Sequence, residues 1–180
     1  AVDLQSSYTY DNDGRLTKLT DALGKFETYA YDAAGNKISK TDKRGNVWTY
    51  GYDVLGRLAT ETTPAVTVAT VSDAGVVSVS IRALITKIEY DKSGNVIKRI
   101  EDYGVQNRTT EYVYDAAGRQ VRTIFPDAGA LNSAGALLST GIKPEIQITY
   151  NASGQAVAQK DVRGNYSYKI YDAAGRLSYD

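Results

Sequence analysis

The chain reads as an all-β fold, a strip of antiparallel hairpins generated by an internal repeat. Three observations predict it. A turn signal arrives every 10 or 11 residues, the segments between turns are seven or eight residues long and rich in Thr, Tyr, Val and Ile, and helical stripes are hard to find. The Ala pairs at 33–34, 116–117 and 173–174 fall inside turns.

The repeat opens with a Tyr-Asp step. Tyr10-Asp11, Tyr31-Asp32 and Tyr52-Asp53 stand 21 residues apart. The step returns at Tyr90-Asp91, Tyr114-Asp115 and Tyr171-Asp172, with Tyr150-Asn151 as a near copy. A Gly follows three residues past each Asp or Asn, at Gly14, Gly35, Gly56, Gly94, Gly118, Gly154 and Gly175. Asp at the first position of a type I turn accepts a hydrogen bond from backbone two residues on, and Gly at the fourth takes the left-handed conformation of a bulged hairpin.

A second signal sits midway through the unit, from Asp21 to Gly24, Asp42 to Gly45 and Asp161 to Gly164. Asp73-Ala74-Gly75, Asp102-Tyr103-Gly104 and Asp127-Ala128-Gly129 read as the same signal shortened by one residue. Twelve of the 15 Asp residues stand at turn starts and the six Glu residues do not, which marks the Asp carboxylates as turn-forming groups rather than an acid cluster.

Between turns, Val47–Tyr52, Glu111–Tyr114 and Gln147–Tyr150 have the β-branched and aromatic content of strands. Tyr8/Tyr10, Tyr29/Tyr31, Tyr50/Tyr52 and Tyr112/Tyr114 are i, i+2 pairs, so both rings of a pair leave one face of a strand. Units lying side by side are expected to line these rings up in rows across the sheet, each cross-strand aromatic pair stabilising by roughly 0.2–1 kcal/mol. A Tyr hydroxyl can stay wet or bonded while its ring packs.

Two intervals break the period. Tyr52 to Tyr90 is 38 residues and Tyr114 to Tyr150 is 36. The first addition, around 64–88, reads as an extra hairpin folding back at Asp73-Ala74-Gly75. The second, around 126–145, carries breaks at Gly129, Asn132, Gly135 and Gly141 and reads as a loop leaving the sheet. No low-complexity linker divides the chain, so 1–180 is assigned as one continuous array of about seven Tyr-Asp-x-x-Gly units.

Composition narrows function. Lys plus Arg is 21 and Asp plus Glu is 21, so the formal net charge is zero, which argues against phosphate-backbone binding and a polybasic membrane surface. Hydrophobic content of 42% suffices for a packed core, and no apolar run approaches the ~18 residues of a membrane span. The chain has no Cys and no His, which removes disulfides, thiolate nucleophiles, Ser-His-Asp triads and Cys- or His-ligated metals. Carboxylate chemistry and oxygen-ligated cations remain. With no Met and an Ala at position 1, the chain is expected to be a processed or excised piece, any secretion signal lying outside it.

Each sharper reading meets a plainer one. Asp11-Asn12-Asp13-Gly14 resembles the start of a calcium loop but lacks the later ligands, and a turn explains it. Glu61, Glu89, Glu101, Glu111 and Glu145 occupy differing positions within the units, as scattered surface charges do. Trp48 with the Tyr rows could stack sugars, although aromatic stripes at strand spacing are more often packing. Arg15, Arg57, Arg119 and Arg176 recur one residue after the turn Gly, and interspersed Asp makes ion pairing their expected role. No catalytic, cofactor-binding or metal-ligating residue is assigned.

The unit Tyr-Asp-x-x-Gly-Arg-Leu, filled by Tyr52–Leu58 and Tyr171–Leu177, resembles the YD repeat of Rhs proteins, toxin-complex BC components, wall-associated toxins and animal teneurins. Thr20–Gly24 and Thr41–Gly45 match the other half of the family unit. The resemblance implies a β-sheet strip spiralling into a hollow shell that holds a toxin polypeptide. The family's Asp-Pro-x-Gly self-cleavage motif has no counterpart here, since none of Pro64, Pro126 and Pro144 follows an Asp. The expectation is a non-catalytic structural segment of a secreted or surface bacterial protein, without cofactor. Its partners are neighbouring repeats of a longer chain or copies of itself, with an encapsulated polypeptide or a surface glycan as further candidates. The alternatives are a cell-surface adhesion module recognising carbohydrate or protein, and a self-associating extracellular fibre subunit.

Overall fold

The structure, a computed structural model, describes residues 5–72, 74–127, 130–131, 137–138, 141 and 143–179. The chain forms two compact units, the first comprising Ala1–Val68, Val79–Ile88 and Glu101–Val105, the second Ala69–Ser78, Glu89–Ile100 and Gln106–Asp180. The described residues contain strands and turns and no helix, so none is long and apolar enough to cross a membrane.

In the first unit β1 (Ser7–Tyr10), β2 (Leu16–Thr20), β3 (Phe26–Tyr31), β4 (Lys37–Thr41), β5 (Val47–Tyr52) and β6 (Leu58–Thr62) lie side by side in sequence order, each antiparallel to the next. Next along the chain, β7 (Val66–Val71) and β8 (Val77–Arg82) form a two-stranded sheet of their own. The start of β9 (Ile85–Tyr90) then takes the place beside β6, with Ile85 opposite Thr62. Reciprocal bonds pin that junction: the Thr63 N–H donates to the Leu84 carbonyl at 2.9 Å, and the Leu84 N–H donates to Thr63 Oγ1 at 3.1 Å.

The second unit repeats the scheme with β10 (Val96–Glu101), β11 (Arg108–Tyr114) and β12 (Gln120–Ile124). Beyond β12, β13 (Ala130–Leu131) pairs with β14 (Leu137–Leu138). The sheet then resumes with β15 (Glu145–Tyr150) against β12, followed by β16 (Ala156–Lys160) and β17 (Tyr166–Tyr168). β18 (Ile170–Tyr171) and β19 (Leu177–Tyr179) close the chain as a hairpin. Because successive strands reverse direction, the Tyr-Asp turns of a unit share one rim of its sheet and the mid-unit connections share the other.

Three expectations are corrected. No described side chain is fully buried, so the 42% hydrophobic content does not make a packed core; apolar groups are half-covered by neighbouring strands, as in repeat architectures where each unit leans on the next. The turn expected at Asp73-Ala74-Gly75 is of full length and starts at Ser72, whose carbonyl accepts the Gly75 N–H at 2.8 Å and whose Oγ accepts the Val76 N–H at 3.2 Å; Asp73 itself lies outside the described residues. Asp102 also heads a four-residue turn, closed by the Val105 N–H on its carbonyl at 3.1 Å. Of the turn expected at Asp127, Ala128 and Gly129 lie outside the described residues.

The aromatic rows are also built differently. A 21-residue unit holds two strands, so β4 separates the aromatic strands β3 and β5, and Lys40 pairs with Tyr29 on one side and Trp48 on the other. Ring-on-ring rows are replaced by cation-on-ring contacts: Lys40 Nζ lies 5.9 Å from the Trp48 ring and Lys37 Nζ 5.1 Å from that of Tyr50.

Candidate functional site

The repeated constellation of this molecule is the Tyr-Asp turn. Asp32 shows its wiring. Its Oδ1 accepts the N–H groups of Ala34 (3.0 Å) and Asn36 (2.8 Å), and its Oδ2 accepts the Asn36 side-chain amide at 3.0 Å. The Gly35 N–H returns to the Asp32 carbonyl at 3.1 Å, and Gly35 sits at φ +88°, where a side chain is strained. A short carboxylate thus satisfies the donors that a tight turn leaves over.

The same wiring holds at Asp11, Asp53, Asp115 and Asp172, with Arg15, Arg57, Arg119 and Arg176 replacing the amide through an Nε bond of 2.7–2.8 Å. Asp42, Asp91 and Asp161 use Asn46, Asn95 and Asn165. At Asn151 the side-chain oxygen accepts the Gln155 N–H at 2.9 Å, so the near copy keeps the turn without the charge. The carboxylates of these turns are held below the usual Asp range. The leading cause is the Arg15, Arg57 or Arg176 backbone N–H at Asp11, Asp53 and Asp172, and a side-chain donor at Asp32, Asp42, Asp91, Asp115 and Asp161.

Five of the step tyrosines add a bond to the hairpin before them. The Tyr31 hydroxyl donates to the Leu16 carbonyl, Tyr52 to Lys37 and Tyr114 to Val96, all at 2.9 Å. Tyr150 reaches Gln120 at 3.2 Å and Tyr171 reaches Ala156 at 3.1 Å. In every case the acceptor is the second residue after the preceding turn Gly. A register slip accompanies the step: Tyr31 faces Lys37 while Ala30 faces Ser39, leaving Ile38 as a bulge, and Tyr10, Tyr52, Tyr114, Tyr150 and Tyr171 carry the same slip. The mid-unit hairpins at Asp21, Asp42 and Asp161 have none. Nothing in residue type announced the latch or the slip; the fixed spacing of Tyr from Gly was their only trace. Tyr10 and Tyr90 complete the set of steps, Tyr10 being 57% exposed.

The calcium-like stretch has the wrong donor set for a cation. Asp11 accepts the Asp13 and Arg15 N–H groups and the Arg15 guanidinium, and Asp13 is paired with Arg15 at 2.8 Å. Among the described residues no cluster of Asp and Glu could hold a metal. Of the Glu residues singled out, Glu111 binds Lys143 at 3.0 Å and Glu145 binds Arg122 at 2.6 Å. Glu27, on β3, accepts the Tyr29 hydroxyl at 2.7 Å, which pushes the Tyr29 pKa up to about 12. The turn carboxylates are engaged in positioning backbone.

The RHS repeat family matches residues 10–46 and 31–65. No curated protein matches the chain. Among solved structures, TcdB2-TccC3 without its hypervariable C-terminal region superimposes with a TM-score of 0.52 at 13% identity, covering 98% of this chain and 10% of that one. TcdB2-TccC3-TEV gives a TM-score of 0.46 at 16% identity over 94% of this chain and 11% of that one. A Tc holotoxin pore of Photorhabdus luminescens gives 0.32 at 19% identity over 97% and 11%. The chain thus spans about a tenth of the length of the solved chains it matches, and the first of them shares its hairpin-built β fold. Residues 10–65 thus match the RHS repeat in sequence, and the chain shares the hairpin-built fold of a solved structure of that kind.

Proposed function

We propose that this chain is a structural segment of a β-sheet shell wall, in a secreted or surface bacterial protein, which surrounds a toxin or other cargo polypeptide. The observation that carries the reading is the use to which the repeated polar groups are put. Turn carboxylates, Arg and Asn side chains and Tyr hydroxyls are spent on holding one hairpin to itself and to the next. Such a sheet extends by adding units, and each added unit brings its own latch. Its partners are then the neighbouring repeats and the enclosed chain, and it performs no turnover itself.

The test is protease protection in the protein that carries this segment. Removing one 21-residue unit, Asp32–Tyr52, keeps strand polarity and should expose the enclosed polypeptide to digestion while the repeats stay folded. Unchanged protection would reject the wall reading. Adhesion is the second reading, favoured by the stacked Tyr166 and Tyr168 rings, 6.0 Å apart, which are 56% and 59% exposed. Binding on a glycan array that disappears in Tyr166→Ala would support it over the wall.

A further inference from the structure

At several Tyr-Asp turns the residue that follows the turn Gly reaches the next turn. Arg15 reaches from its own turn to the next, where its Nη1 donates to the Asp32 carbonyl at 3.3 Å and lies 3.7 Å from where a Cβ on Gly35 would sit. Its guanidinium carbon stands 5.2 Å from the centroid of Tyr31. Arg119 repeats the arrangement, 4.7 Å from the Tyr150 centroid and 3.5 Å from the Cβ position of Gly154. Gln155 crosses to the Gly175 carbonyl at 2.9 Å. Asn36 is shorter, yet its Oδ1 comes within 3.9 Å of the Cβ position of Gly56.

The pair of turns at Asp91 and Asp115, like that at Asp32 and Asp53, has no Arg or Gln crossing between them. The bridging position holds Asn95, whose amide turns back to Asp91 at 2.9 Å, and nothing lies within 4 Å of the Cβ position of Gly118. Among the described residues no side chain donates to the Asp115 carbonyl, which keeps its own Gly118 N–H at 3.0 Å. A groove of about 640 Å³ opens there, lined by Asp91, Ser93, Asn95, Tyr112, Tyr114 and Gly118. No Lys or Arg lines it, and both turn aspartates do.

We propose that this groove is an arginine slot filled in trans. A guanidinium carried by another polypeptide would stack on the Tyr114 ring and donate to the Asp115 carbonyl, as Arg15 does at Tyr31 and Asp32 within the chain. Planarity selects the group: a guanidinium presents donors in its plane and a flat face to the ring together, and an ammonium or a sugar hydroxyl does not. The site goes beyond a wall role, because it gives one identified hairpin pair, from another chain, the guanidinium that Arg15 and Arg119 supply internally at two other pairs.

The experiment is a titration of the isotope-labelled chain with N-acetyl-arginine amide, followed through backbone amide resonances. Saturable shifts confined to Ser93–Asn95 and Ala116–Gly118 are expected. The citrulline analogue, equal in shape and uncharged, should bind about tenfold more weakly or worse. Asn95→Arg, which places in this slot the residue that Arg15 and Arg119 are elsewhere, should abolish the shifts. Equal responses to arginine and citrulline, a stronger response to a neutral disaccharide, no saturable shift, or binding undiminished in Asn95→Arg would each overturn the proposal. The arginine–citrulline contrast on the unaltered chain decides it even if the variant misfolds. A shell wall with no arginine binding, or arginine binding in a chain that protects no cargo, keeps this outcome separable from the proposed function.

Discussion

Hairpins β1 to β6 and the hairpin of β7 and β8 use one turn geometry in two settings. In the first, Asp heads each turn, both carboxylate oxygens are engaged, and Tyr31 and Tyr52 bind back to the previous hairpin. In the second, Ser72 heads the turn through a single 3.2 Å bond, no Tyr is present, and the apolar residues Val77, Val79 and Ile81 of β8 are 62%, 66% and 76% exposed. The β7–β8 sheet stops at two strands, a size that is marginal in isolation. Turn geometry is therefore local and portable, whereas shielding of side chains comes only from paired neighbours.

The largest expected effect separates the two settings directly. Gly56→Val forces a β-branched residue to φ +75° inside the array and should cost about 1–3 kcal/mol, read as a lower melting temperature of the whole transition. Gly75→Val meets the same strain at φ +76° but should mainly speed amide exchange over 66–82. Equal global losses from both would mean that the hairpin folds as part of the array.

Packing sharpens the contrast next. Gly51 faces Thr60, and a Cβ there would lie 2.4 Å from Thr60 Oγ1. Gly51→Ala should destabilise by about 1–2 kcal/mol, with most of it recovered in the double variant carrying Thr60→Ala. A double variant no better than the single would remove that contact as the reason for Gly.

Removing one latch is smaller. Tyr52→Phe keeps the ring and loses the bond to Lys37, for an expected loss of about 0.5–1.5 kcal/mol in denaturant unfolding. Ser72→Ala in the outlying hairpin should leave the global transition unmoved.

Acid should reveal the same division by direction. The turn carboxylates have folded pKa values below their unfolded ones, so the stability they contribute is complete above about pH 4 and is lost as pH falls through the lowered folded values. Stability flat from neutral down to about pH 4 and falling below it is the expected profile, and Asp32→Asn should shallow that fall. Tyr29 behaves in the opposite sense: its raised value means that its contribution is complete below about pH 10 and lost on approach to its folded pKa of about 12. Ultraviolet titration should show one phenol ionising last, and Glu27→Gln should bring it back toward the others.

Much of the fold was legible because its signals are local. An Asp-x-x-Gly segment closes its turn with its own backbone, so nine aspartates could be placed from spacing alone. The turn at Ser72 was less legible, because Ser accepts the same N–H bond as Asp yet carries no carboxylate to mark the turn start. The groove beside Tyr114 was not legible, since it depends on whether the residue after one turn Gly is long enough to cross to the next turn, and Asn95 matters only beside Gly118.

By itself the sequence determined the repeat, the strand class, the turn positions and the absence of His and Cys chemistry, because each follows from residue types within a few positions of one another. Which residues touch across hairpins was decided only by the tertiary structure. The one-residue slip at each Tyr sets which side chain faces which, and so delivers Tyr31 to Leu16, Arg15 to Asp32 and Lys40 between Tyr29 and Trp48. A period of two along a strand turns a single slip into a change of face, and no composition or spacing rule carries that information.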